Sequence, residues 1–194
     1  MFKPRDYDTA QAATGEFVSA QLTPGGHGVL ILKAEAVTLD RDGTKVPQIH
    51  VYFDIAEGSE YDNYFKQKYE ASKKFRPDTA KWQGIFRQNV YAQDGESTNP
   101  YFKGLITSIE NSNPMYKWTW DEHTLKGKKL GMVFRERDFE VPSTGEIKTT
   151  VEAAWACDWD AYESMPVPKK KELVKKTPAF PQQMTETQDD DLPF

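Results

Sequence analysis

Apolar and polar positions alternate most cleanly between Val46 and Ile55. Ile49, Val51, Phe53 and Ile55 fall on one side, and Gln48, His50, Tyr52 and Asp54 on the other. A period of two predicts a half-buried strand. Gly28–Asp40, rich in Val, Ile and Leu, predicts the strand before it, and Arg41-Asp42-Gly43 supplies the turn chemistry of a hairpin between the two. Tyr61–Tyr69 predicts a third strand, with Phe65 inward and Tyr64, Lys66 and Lys68 outward. Residues 70–98 show no regular period and are broken at Pro77 and Gly84. The period changes at Asn99–Asn111, where Phe102, Leu105, Ile106 and Ile109 form a helical stripe behind an Asn99 cap and Pro100 at the first helical position. Lys128–Val141 and Glu146–Trp159, joined by the turn Ser143-Thr144-Gly145, predict strands four and five.

The predicted order is strand-strand-strand-helix-strand-strand over residues 23–165. A helix between strands three and four fits a mainly β, five-stranded, partly open barrel of the oligonucleotide/oligosaccharide-binding type, the OB-fold. Residues 1–22 form a polar, Ala-rich arm. Gly25-Gly26-His27-Gly28 lacks the Gly-Lys-Ser/Thr ending of a phosphate loop and precedes a strand, so it predicts a turn into the sheet. Residues 166–188 are Lys, Pro, Gln and Thr with little to bury, which predicts a disordered linker.

Composition narrows the chemistry. One cysteine, Cys157, allows no internal disulfide, and three scattered histidines give no zinc-ligand spacing. No cofactor motif and no metal site is expected. No run approaches a membrane-spanning length, and no apolar signal region opens the chain, so the expectation is a soluble cytoplasmic protein with no membrane partner. The net charge is −5 in 194 residues. Residues 177–194 carry four side-chain carboxylates and no cation, while residues 169–176 carry five lysines and one glutamate. These cancel, so the body is itself acidic and a nucleic-acid surface on it must be a local patch.

Tyr64–Tyr91 offers such a patch. Lys66, Lys68, Lys73, Lys74, Arg76, Lys81 and Arg87 stand against Glu70 and Asp78 only, with Tyr64, Phe65, Tyr69, Phe75, Trp82, Phe86 and Tyr91 interleaved. Cations neutralise phosphates and flat rings stack on unpaired bases, which together give sequence-tolerant binding of single strands. Screening confines charge effects to about 8–10 Å, so the patch can act within an acidic body. Lys128, Lys129 and Arg135, with Lys126 and Arg137 nearby, extend the path or solvate an edge strand. Tyr52 is a further stacking candidate on the polar side of the second strand. The aromatics of Met115–Trp120 and Trp155–Trp159 are assigned to the barrel core or to a contact between copies in a homo-oligomer.

The chain ends Asp189-Asp190-Asp191-Leu192-Pro193-Phe194. At average usage, Asp followed by Leu or Ile and then Pro-Phe ends a chain by chance on the order of once in 10⁵. Three aspartates steer toward basic pockets. Pro193 biases Leu192 toward an extended conformation, and Phe194 offers a ring to an apolar pocket. This stretch resembles the acidic tip of bacterial single-stranded DNA-binding proteins. The resemblance implies an OB-fold body that coats single-stranded DNA without catalysis, in a bacterial or phage-infected cell. It also implies a tip that recruits replication, recombination and repair proteins. Two other readings use the same residues. One is a protein-only adaptor or mimic that competes for the tip's partners without binding DNA. The other is a metal-dependent nuclease built on Asp54, Glu57, Asp62 and Lys66.

Overall fold

The computed structural model describes residues 21–41 and 43–173, together with Arg5. Its strands are β1 (Gly25–Arg41), β2 (Thr44–Ile55), β3 (Ile85–Asn89), β4 (Lys129–Glu140) and β5 (Ile147–Cys157). Helix α1 (Tyr64–Phe75) precedes β3 and helix α2 (Pro100–Ser112) follows it. The strands form one antiparallel sheet in the order β3-β2-β1-β4-β5. The sheet is not closed into a barrel: β3 and β5 are its two edges.

The alternation of β2 is realised as expected, with Ile49, Val51, Phe53 and Ile55 all buried. They meet Val29, Ile31, Leu130, Met132 and Phe134 from the neighbouring strands and Phe102, Leu105, Ile106 and Ile109 from α2. Full burial of such side chains contributes roughly 1.5–3 kcal/mol each, which makes this cluster the main source of stability. The α2 stripe is the one read from the sequence. The Asn99 side chain caps the helix by accepting from the Tyr101 amide at 2.9 Å.

Ladder lengths shape the rest. β1 pairs with β2 from Val29 opposite Ile55 to Arg41 opposite Thr44, but with β4 only over Gly25–Leu30. Beyond Ile31, which still exchanges backbone hydrogen bonds with Gly127 and Lys128, the two hairpins part. Close approach explains the early glycines: a Cβ on Gly28 would lie 2.7 Å from the Trp159 ring, and one on Gly26 would strike the Tyr162 carbonyl. The short 3-10 turn Trp159–Ser164 therefore lies directly on the start of β1.

The expected third strand at Tyr61–Tyr69 is not a strand. That segment turns and enters α1, and the third strand is β3, inside a stretch expected to be irregular. Tyr61, Phe65 and Tyr69 recur every four residues, a helical spacing, and residues 66–71 supply helix-forming Lys, Gln, Glu and Ala. The helix has no cap of its own: Asn63 sits in the left-handed region and its side chain does not cap. Asp54, at the end of β2, does so instead, accepting from the amides of Phe65 at 2.8 Å and Lys66 at 3.0 Å.

The ends of the described chain also differ from expectation. Leu22, placed in the N-terminal arm, is buried in the core, and its amide donates to the Tyr64 hydroxyl. The segment read as the start of a disordered linker stays on the body as far as Lys171. The Lys171 amide donates to the Glu136 carbonyl at 2.8 Å, and its own carbonyl accepts from the Asp138 amide at 3.0 Å. The linker beyond Leu173 and the tip 189–194 lie outside the described residues.

Candidate nucleic-acid interface

The two edge strands bound an open cavity of about 600 Å³. Ile85–Gln88 of β3 line one side and Lys148–Ala154 of β5 the other. Its floor is aromatic: Phe65 and Phe134 stack with centroids 6.4 Å apart, and Phe53 meets both edge-on. Around that floor stand Lys68, Arg87, Arg135, Lys148 and Lys171, with Glu152 as the one carboxylate. Five cations to one anion is a reversal of the chain's net −5.

The cations differ in how they are held. Arg135 donates from Nε and Nη2 to Glu152 Oε1, at 3.0 and 2.8 Å. Arg137 Nη1 donates to the other oxygen at 3.0 Å, and Lys171 Nζ lies 3.9 Å from Oε1. Burial alone pushes the Glu152 carboxyl up, but the hydrogen bonds and charges of Arg135 and Arg137 outweigh it and leave the group below its ordinary value. Across the cavity, Lys68 donates to the Tyr64 hydroxyl at 3.0 Å and lies 4.8 Å above that ring. Exposed Arg87 stands opposite His50 in the β2–β3 ladder. Burial and the Arg87 charge, against the opposing pull of Glu35, hold His50 below its ordinary value, so the imidazole is neutral at pH 7.

The structure divides the Tyr64–Tyr91 stretch. Residues two apart on a helix point about 200° apart. Lys68 therefore faces the cavity, while exposed Lys66 lines a different hollow of about 440 Å³ with Tyr69 and Trp82. Lys73 and Lys74 share the Lys66 side of α1, seven and eight residues on, and with Phe75, Arg76 and Lys81 they are exposed away from the cavity lining. Tyr91, 42% exposed, makes a bridge with Thr98 beyond the end of β3.

Several ring assignments change. Tyr64, expected outward, is buried with its hydroxyl serving Leu22 and Lys68. Phe86 is paired opposite Val51 and belongs to the core. Trp82 is a strut: its indole N–H lies within hydrogen-bond distance of the carbonyls of Phe53 (3.2 Å) and Gly84 (3.1 Å), and its ring tilts against Tyr69. Tyr52 lies half-buried beneath Lys33, whose Nζ is 5.2 Å from the ring centre. In the second patch, Lys128 covers Tyr116, Lys129 covers Trp159, and Arg135 serves Glu152. Only Arg135 of these three lines the cavity.

Of the four residues in the metal reading, Asp54 is taken up by the backbone. Both Asp54 oxygens are committed to backbone amides, and burial raises its carboxyl above the ordinary aspartate range against the pull of those amides. Among the described residues, no group of three or more His, Cys, Asp or Glu is placed to hold a metal ion. Nor is any helix among them long and apolar enough to cross a membrane.

Lys148, Lys171, Phe139 and Glu152 were missed as cavity residues. Lys148 and Glu152 share one face of β5 by the period-of-two rule, which offered a local signal. Lys171 offered none, because only the bridge to Arg137 brings it to the rim. No family model matches the chain, and no curated protein matches it.

Proposed function

We propose that the protein is a non-enzymatic single-stranded DNA-binding protein that takes the strand into the cavity between β3 and β5. The observation that carries this is the sign reversal: five cations and one carboxylate ring an aromatic-floored cavity in a chain of net charge −5. Lys and Arg neutralise phosphates, and the open cavity admits a flexible strand where a rigid duplex would meet both edges. The strand order supports an OB-type relationship, since pairing β3 with β5 would turn this sheet into a five-stranded barrel. A single strand laid between the two edges occupies the place of that missing ladder.

The acidic tip adds recruitment of replication, recombination and repair proteins. Asp189, Asp190 and Asp191 steer, while Leu192, Pro193 and Phe194 dock. A mobility shift with labelled single-stranded DNA, with and without magnesium, tests the body. Retarded, uncleaved DNA is expected, and an unshifted strand overturns the reading in favour of the protein-only adaptor. Partner capture by wild type but not by Phe194→Ala is expected of the tip. Undiminished capture would reduce the tip to an acidic tail.

A further inference from the structure

Three aromatic rings gather away from the cavity's aromatic floor. Trp118 and Trp120 lie 4.6 Å apart, tilted 37°, and both rest against Phe102 of α2. They form a cleft of about 560 Å³ with Lys103, Ile106 and Glu110. The two tryptophans are held differently. Trp118 is anchored: its amide donates to Glu110 Oε1 at 3.0 Å and its indole N–H to the Asp121 carbonyl at 3.3 Å. Trp120 is 73% exposed and has φ +65°, a conformation that bulky side chains rarely adopt. A large ring is thus displayed to solvent in a backbone state that disfavours it, an outlier of the kind that clusters at binding sites.

Shared lining residues link the cleft to the cavity. A hollow of about 530 Å³ over the first turns of α2 shares Gln88, Arg135 and Ala154 with the cavity, and its Pro100 also lines the cleft. The exposed ring of Tyr101 borders that hollow. Charge at the cleft is close to balanced, because Glu110 lines it beside Lys103 and also pairs with Lys117 at 3.0 Å. A flat aromatic surface with little net charge suits a nucleobase better than a phosphate.

The geometry points to a second DNA subsite in this cleft, where a base of a strand leaving the cavity across α2 stacks on Trp120. This subsite rests on the single-strand reading of the cavity and extends it. It takes no part in neutralising phosphates, so it contributes affinity without changing the salt dependence.

Oligo-dT of about 4 and about 25 nucleotides, at the lower limit of and above the reach of one such domain, separates the two sites. The proteins are wild type, Trp120→Asn and Trp120→Phe. Asn is tolerated at positive φ, so Trp120→Asn should melt at or above the wild-type temperature. The expected result is unchanged affinity for the short strand, about tenfold weaker binding of the long strand by Trp120→Asn, near-wild-type binding by Trp120→Phe, and one common salt slope. Equal binding of the long strand by wild type and Trp120→Asn would overturn the subsite and leave the cavity reading standing. So would a loss of the same size at both lengths. A wild-type dimer that Trp120→Asn converts to monomer would assign the cleft to a contact between copies instead. Failure of wild type to bind either strand would overturn the cavity reading, and the subsite with it.

Discussion

The two walls of the cavity carry the same kinds of charge in opposite states. On the β4–β5 wall, Arg135, Arg137 and Lys171 gather round one carboxylate, Glu152. On the α1–β3 wall, Lys68 leans on a tyrosine hydroxyl and ring, and Arg87 faces a neutral His50. An exchange of partners explains what the difference does. A phosphate reaching Lys68 or Arg87 displaces mainly water and counterions, which drives binding. A phosphate reaching Arg135 must also compete with a carboxylate already in a two-hydrogen-bond contact. Under the proposed function, the α1–β3 wall would capture the strand and Glu152 would restrain the β4–β5 wall.

Emptying the α1–β3 wall should have the greatest effect on binding. Lys68→Ala combined with Arg87→Ala should weaken single-strand binding by tenfold or more and flatten the plot of log affinity against log salt by about 1.4, at roughly 0.7 per phosphate lost. Fluorescence anisotropy across a salt series reads both quantities, and an unchanged slope would remove these residues from the site.

Trp82→Ala should act on the fold instead. Removing a ring whose N–H lies at two carbonyls and which packs on the core should cost about 2–4 kcal/mol of stability in a denaturant titration, with DNA affinity of the folded protein unchanged. This reverses what the sequence suggested for Trp82, and the reason is physical. Local pattern shows that an aromatic is present among lysines; it does not show that a chain reversal brings the carbonyls of Phe53 and Gly84 to its N–H. Elements with local causes were legible. The β2 alternation, the α2 stripe with its Asn99 cap, and the two hairpins all arise from neighbours in sequence. Helix α1 was read as a strand despite the four-residue spacing of Tyr61, Phe65 and Tyr69, because the cap that marks its start is Asp54, eleven residues before the amide of Phe65. For the site, Lys68 and Arg87 were legible as cations among aromatics. Lys66 and Lys68 were read as one outward row on a strand, and the 200° turn between them on a helix sends them to different surfaces.

Glu152→Gln sharpens the comparison from the other wall. It keeps the shape, releases Arg135 and Arg137 from a charge, and should raise single-strand affinity several-fold while lowering the melting temperature slightly. Acid should mimic it. The folded Glu152 carboxyl lies below its unfolded value, so the stability it contributes is present above the ordinary carboxylate range and is lost as pH falls through the lower folded value. Wild type should therefore gain DNA affinity over that acidic window, and Glu152→Gln should show a smaller gain. A parallel pH response in the two proteins would clear Glu152 of any restraining role.

Cys157 should respond little to DNA. Burial, with a lesser contribution from Asp158, pushes its thiol up to about 11. Native protein should resist thiol reagents at pH 8 with or without DNA, and prompt labelling would mean that the end of β5 opens.

If the cation-ringed cavity between β3 and β5 binds single strands by neutralising phosphates, affinity must fall as salt rises. The most direct measurement is the equilibrium affinity of wild type for a labelled oligonucleotide across a salt series, with duplex of the same sequence as competitor. The expected log–log slope lies between about −1.4, if only Lys68 and Arg87 engage, and about −3.5, if all five lining cations do, with duplex competing poorly. A slope near zero, or a duplex that competes as well as the single strand, would contradict it.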